Sequence, residues 1–215
     1  VEDGAANNGD GNNDGTPDSE QAHVASLPNN ADGQYVTLAA PVDASLADVA
    51  AVPNPSIEDA PQVAFPVDFF DFTIHVPNPG DATSVTLFLP DGAPRDTWYK
   101  FGPEPGNAAD HWYEFLYDGT TGAEIVDGMV TLHFVDGARG DSDLTANGVI
   151  VDPGSPASSS QFVVDLATDE DDGNTAAGDL SLREAVGLAN ANPSSTIRFA
   201  SNLDGVPQVL TMGEL

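Results

Sequence analysis

The period-two alternation of apolar residues that starts near residue 67 constrains this chain more than any other feature. Phe72, Ile74 and Val76 alternate with Asp71, Thr73 and His75; Val85, Leu87 and Leu89 alternate with Thr86 and Phe88; Val130, Leu132 and Phe134 alternate with Thr131 and His133. Successive side chains of a strand point to opposite faces, so each run buries one face and leaves the other polar. Further strands are predicted at Tyr35–Leu38, Trp98–Phe101, His111–Tyr117 and Gly148–Val151. Turn signals separate the runs: Pro79-Gly80, Asp91-Gly92, Pro105-Gly106, Asp118-Gly119, Asp127-Gly128 and Asp136-Gly137. Short strands so spaced predict an antiparallel β-sandwich over residues 22–156 rather than βαβ units.

The charge balance excludes several partners. The chain carries 35 Asp and Glu against 5 Lys and Arg, for a formal net charge of −30, and residues 1–94 hold no cation of either type. Nucleic-acid binding needs clustered Lys and Arg to neutralise phosphates, and docking on an anionic membrane needs the same. No apolar run reaches the roughly 18 residues that span a bilayer. Val1 is not followed by a charged and then apolar leader, and we expect the chain to be a piece of a longer exported protein. A compact body of 22.2 kDa exposes roughly 9,400 Å² by area scaling, or one net charge per roughly 300 Å². Such a surface repels itself and predicts bound cations, a salty medium, or both. Although 21 Gly and 17 Pro push towards disorder, 40% hydrophobic residues argue for a folded core. With no Cys, disulfides, thiol nucleophiles and thiolate metal sites are excluded.

Residues 1–21 hold six carboxylates and no aliphatic side chain larger than Ala after Val1, and are expected to be an acidic linker. Within it, Asp10, Asn12, Asp14 and Asp18 stand at loop positions 1, 3, 5 and 9, with Gly15 at position 6, and Thr16 available through its carbonyl. Ca²⁺ takes six to eight hard oxygens, and a loop that bends at Gly while turning alternate residues inward supplies them. The candidate ligands are Asp10, Asn12, Asp14, Thr16, Asp18, Glu20 and Gln21. This D-x-N-x-D-G-x-x-D run resembles the thrombospondin type 3 calcium repeats and, more loosely, dockerin and EF-hand loops. It departs from the EF-hand at position 12, where Gln21 replaces the bidentate Glu, so an affinity on the order of 10⁻⁴ to 10⁻³ M is expected. The alternative is a solvated linker without tight binding. A second Ca²⁺ could be held by Asp136, Asp141, Asp143, Asn147 and Asp152, unless Arg139 neutralises the group by ion pairing.

Two aromatic stretches, Asp96–Phe101 and His111–Tyr117, are followed by Val130–Asp136 and by Gly140–Gly154. The succession resembles the choice-of-anchor U domain of bacterial surface proteins, best over residues 67–156. The resemblance implies an extracellular β-sandwich module without catalytic residues. Trp98, Tyr99, Trp112, Tyr113 and Phe115 are expected in the core, the alternative being a sugar-stacking platform. His75 and His133 are expected to face solvent rather than to share a transition metal.

One helix is predicted at Ser181–Ala191, opened by a capping box of Ser181 and Glu184 and stopped at Pro193. The run Asp179-Leu180-Ser181-Leu182-Arg183-Glu184-Ala185, with Ala189-Asn190-Ala191-Asn192-Pro193 after it, resembles the CSLREA domain over residues 157–194. Here Leu180 stands where that family has Cys and Thr175 where we place its partner, so the family's disulfide is missing. The resemblance implies that the helix caps a right-handed parallel β-helix, whose first rung we expect in residues 195–215, with strands at Thr196–Phe199 and Val209–Met212. Leu182, Val186 and Phe199 are then expected to keep partly exposed apolar surface. Asp169–Asp172 form a charge run that reads as a solvated loop or a cation site.

No nucleophile elbow, zinc-binding helix or phosphate-cradling loop occurs in the sequence. The expectation is a mainly β, non-catalytic structural or adhesive module of a secreted or cell-surface bacterial protein, with Ca²⁺ as its cofactor and an extracellular protein or glycan as its ligand. The alternatives are an accessory carbohydrate-binding part of a β-helical polysaccharide-degrading enzyme, and acidity that reflects a halophilic source.

Overall fold

The computed structural model describes residues 2–61, 63–90, 95–126, 129–159, 161–176, 178–191 and 195–215. The turn signals at Asp91-Gly92 and Asp127-Gly128 and the helix stop at Pro193 lie outside the described residues. The chain divides into two compact units, one of residues 1–60 and 65–158, the other of residues 61–64 and 159–215.

The first unit is built of antiparallel strands, consistent with a β-sandwich. One sheet has the order β1 (Val24–Pro28), β2 (Tyr35–Ala39), β6 (Ala82–Phe88), β10 (Met129–Val135) and β9 (Gly122–Val126). The other runs β3 (Ser45–Val52), β5 (Phe69–His75), β11 (Val149–Ser159), β7 (Thr97–Glu104) and β8 (Asn107–Glu114). The alternation sorts as expected: Phe72, Ile74, Val85, Leu87, Val130, Leu132 and Phe134 are fully buried and belong to one core with Leu38, Trp98, Phe115 and Ile150. Phe72 and Phe134, one from each sheet, meet edge to face with ring centroids 6.4 Å apart. Each fully buried aliphatic or aromatic side chain contributes about 1.5 to 3 kcal/mol over its exposed state, so the two inner faces supply most of the unit's cohesion.

Several elements differ from expectation. The hairpin turn at Pro105-Gly106 sits between β7 and β8, with Gly106 at φ +95°, and β8 begins at Asn107, four residues before the predicted start. β11 continues past Val151 through Pro153 and Pro156, paired to β5 on one side and β7 on the other. β1, β3 and β9 were not foreseen; β3 lacks clean alternation because a register shift between Ala47 and Ala50, with Asp48 at φ +52°, breaks its period. Residues 2–21, expected as a separate linker, fall within the first unit.

In the second unit, α2 (Leu182–Ala191) and the strands β12 (Gln161–Val164) and β13 (Thr196–Phe199) surround Val164, Leu180, Ala185 and Leu203. β12 and β13 pair in parallel. The unit also contains the two-residue strand β4 (Val63–Ala64). The capping box forms as its sequence predicts: the Glu184 N–H donates to the Ser181 hydroxyl at 3.2 Å, and the Ser181 N–H donates to the Glu184 carboxylate at 3.1 Å. Leu180 is buried. The strand predicted at Val209–Met212 does not form: the Thr211 and Met212 N–H groups donate to the Asp169 carboxylate, which removes them from any ladder. Short helical turns complete the chain, among them α1 (Ala6–Gly9), in which Asn7 and Asn8 take left-handed backbone angles.

Candidate functional site

The acidic loop of residues 10–21 is wrapped by its own side chains. Asp10 accepts the N–H groups of Asp14 at 3.0 Å and Gly15 at 2.9 Å, and Asn13 and Gly15 take left-handed backbone angles of φ +58° and +94°. Asp14 is exposed and accepts the Gln21 side-chain amide at 2.7 Å and the Thr16 N–H at 2.9 Å. These bonds, the first from Gln21, hold its carboxyl below the ordinary aspartate value. Asn12 bonds Asp14 within the same loop. The buried Oε1 of Gln21 has no hydrogen-bond partner.

Asp18 is separate from this set. It is fully buried and accepts from the Gly11 N–H at 3.0 Å and from the Ser26 hydroxyl on β1 at 2.5 Å. Ser26 also shares a hydrogen bond with Thr37 on β2. Asp18 therefore anchors the loop to the sheet. Removing it leaves the Gly11 N–H without an acceptor and breaks the Ser26 bond, at about 1 to 3 kcal/mol. Asp18→Ala is expected to lower the melting temperature by the same amount with and without Ca²⁺. Glu20 is exposed.

The acidic residues of the second predicted set are each engaged by other partners. Among the described residues, the group of three or more acidic or His side chains whose ligand atoms lie within 4.8 Å of one another is Glu170, Asp172 and Glu184, and it includes no acidic residue of either predicted Ca²⁺ set. Each acidic residue of the second set has another task, because a long loop between β10 and β11 needs acceptors for its backbone. Asp136 receives the N–H groups of Gly80 at 2.7 Å and Gly148 at 2.8 Å. Asp141, fully buried, receives those of Gly137 at 2.9 Å and Val151 at 3.1 Å. Asp143 takes the Thr145 N–H and the Asn147 side-chain amide, both at 2.8 Å.

Asp152 pairs instead with Lys100, the single lysine of the chain. Both are fully buried. Arg139, the alternative to an ion as the neutraliser of this cluster, reaches Glu104 at 3.3 Å and Asp118 at 3.2 Å instead, and stacks 4.8 Å from the Phe115 ring centre. Burial pushes the Lys100 ammonium well below the ordinary lysine value; Asp141 opposes that shift most strongly of the surrounding charges, Arg139 adds to it and Asp71 opposes it. The signal for this pair was present in the sequence. Period two places Lys100 on the face of Trp98 and Asp152 on the face of Ile150, which are inward faces.

The aromatic residues considered as a sugar platform are packed. Trp98, Tyr113 and Phe115 belong to the core between the sheets. Trp112 lies in a second cluster on the opposite face of β7 and β8, stacked on Phe65 at 5.8 Å and against Phe101 at 5.2 Å, with its indole N–H donating to the Ser56 carbonyl. Tyr99 meets Phe65 edge to face. His75 is exposed on β5, whereas His133 lies on β10 of the other sheet and contacts Glu124 at 3.1 Å, so the two do not form a ligand pair.

In the second unit, the Asp169–Asp172 run divides. Asp169 forms a bidentate pair with Arg183 at 2.8 and 3.1 Å, and hydrogen bonds from Arg183 first, then Met212, hold its carboxyl well below the ordinary aspartate value. Glu170, Asp172 and the buried capping residue Glu184 form the acidic group that could hold a metal ion. Glu184 already accepts from Gly173 and Ser181, and burial raises the Glu170 carboxyl above its ordinary value. No family model, curated protein or solved structure matches this chain.

Proposed function

We propose that this chain is a non-catalytic structural and adhesive part of a secreted or cell-surface bacterial protein, in which Ca²⁺ stiffens the loop of residues 10–21. The observation that carries the reading is the placement of the side chains with chemical potential. The aromatic residues fill two packed clusters, and the buried carboxylates hold loop backbone or a lysine. Such an arrangement makes a rigid spacer.

For Ca²⁺, the donors of the loop are all hard oxygens. Asp10, Asn12, Asp14, the Thr16 carbonyl and Gln21 would hold the ion, and the unpartnered Gln21 Oε1 is the atom it would satisfy. The bound cation would offset the repulsion between Asp10 and Asp14. For the second unit, the parallel pairing of β12 and β13 beside α2 is the pairing that stacked solenoid coils use. Phe199 is 48% exposed and Val163 42% exposed, which suits strands of a β-helix whose stacking continues.

Melting in millimolar Ca²⁺ against chelator tests the reading. With ligand at about ten to one hundred times Kd, binding to the folded state adds about 1.4 to 2.7 kcal/mol. The wild-type chain should melt higher in Ca²⁺, and Asp14→Ala should lose that difference. Equal melting with and without Ca²⁺, combined with strong dependence on monovalent salt, would transfer the acidity to a halophilic surface. Saturable glycan binding that Trp112→Ala abolishes would transfer the function to carbohydrate recognition.

A further inference from the structure

In a chain with a net charge of −30, a lysine has abundant carboxylates to meet at the surface, yet the single lysine is fully buried on the inner face of a sheet. Lys100 lies on β7, opposite Gly154 of β11, and its partner Asp152 lies two residues earlier on β11. Phe72 is opposite Asp152 on β5, and the Lys100 Nζ sits 5.1 Å from the Phe115 ring centre and 5.4 Å from that of Phe134. Nζ donates to the Gly140 carbonyl and to Asp152 Oδ1, whereas the buried Asp152 Oδ2 has no hydrogen-bond partner. Two ions in an apolar pocket, one with an unsatisfied oxygen, are an expensive way to join two strands.

We propose that Lys100 and Asp152 condense into an intramolecular amide that ties β7 covalently to β11. The apolar surroundings favour a neutral pair, so the ammonium passes one proton to the carboxylate, giving an amine and a carboxylic acid. The amine lone pair attacks Cγ, and the C–N bond forms as the carbonyl π bond opens. A second proton leaves the nitrogen for the departing hydroxyl, the C–O bond breaks and water is released. Asp141 is the acid placed to relay that proton: it follows Gly140, whose carbonyl accepts from Nζ, its Oδ1 accepts the N–H of Val151, the residue before Asp152, and burial raises its carboxyl above the ordinary value. No oxidant or external co-reactant enters. Fixing both groups in contact, away from water, replaces an encounter by an internal reaction.

The product resolves the polar accounting of the pocket. One N–H remains, and Gly140 already offers its carbonyl to it. A single amide oxygen replaces the two carboxylate oxygens, and one positive and one negative charge disappear together. The linkage suits a cysteine-free chain that cannot use disulfides to join strands.

Intact mass spectrometry of the folded, then denatured, full chain tests the proposal. The wild-type mass is expected to fall below the sequence mass by one water, and Lys100→Arg and Asp152→Ala are expected to keep their full sequence masses. Asp152→Asn would release ammonia instead of water and converge on the wild-type mass. Trypsin should fail to cut after Lys100 and should leave residues 96–139 joined to residues 140–183. Full sequence mass in the folded wild-type chain would overturn the proposal and leave an ion pair. So would a water loss that persists in Lys100→Arg, which would place the dehydration elsewhere, as at an Asp-Gly step.

Discussion

Lys100→Met is expected to destabilise the first unit by about 3 to 5 kcal/mol, because it leaves Asp152 buried and charged without a partner. The side chain it replaces is fully buried between Phe115 and Phe134, and Met fills a similar volume, so lost packing contributes little. At about 2 to 4 °C per kcal/mol for a unit of this size, the melting temperature should fall by roughly 6 to 20 °C. The double variant Lys100→Met with Asp152→Leu is expected to recover much of that loss, since an apolar pair of similar volume removes the stranded charge. A covalent link between the two residues would be absent from both variants. The difference between single and double therefore isolates the buried charge, whereas the distance of the double from wild type includes the link. A double no more stable than the single would show that the cost lies in packing. Urea midpoints of the three chains measure this directly.

Gly140→Ala is expected to cost about 3 kcal/mol or more. Gly140 is buried with φ +98°, a backbone conformation that costs other residues about 1 to 2 kcal/mol. A Cβ there would also lie 2.4 Å from the Phe115 ring edge and 3.3 Å from Phe134, and overpacking of a full core adds about 1 to 3 kcal/mol. The same residue presents its carbonyl to Lys100, so the variant should also disturb the charged pocket. Gly106→Ala is the matched control. It has a similar backbone angle, φ +95°, but open space around the position of a Cβ, so it should cost only the backbone term. Equal losses for the two variants would mean that the Phe115 contact carries no weight.

What could be read from the sequence follows from how local each signal is. Val130, Leu132 and Phe134 alternate strictly, and all three are buried, because side-chain direction in a strand depends only on residue parity. Ser181 and Glu184 cap the helix because both halves of the box lie within one turn. β3 escaped notice because its Ala-rich run carries little hydrophobic contrast and a register shift interrupts its period. β11 extends through two prolines because it is held between two neighbouring strands, information absent from its own residues.

The acidic residues divide on the same line. Sequence placed oxygen donors at regular intervals from Asp10 to Gln21, and the loop does fold back on Asp10 and Asp14 through short-range bonds. It could not foresee that Asp18 leaves that set for Ser26, nor that Asp136, Asp141, Asp143 and Asp152 separate into four different tasks. The sequence by itself determined which faces of the strands are apolar, where the helix begins and that no cysteine bridge can form, since each depends on residue type and parity alone. Only the tertiary structure decided which strands adjoin, and thereby set Lys100 against Asp152 across 52 residues of chain: a buried charge chooses its partner by the fold that removes both from water, not by nearness in sequence.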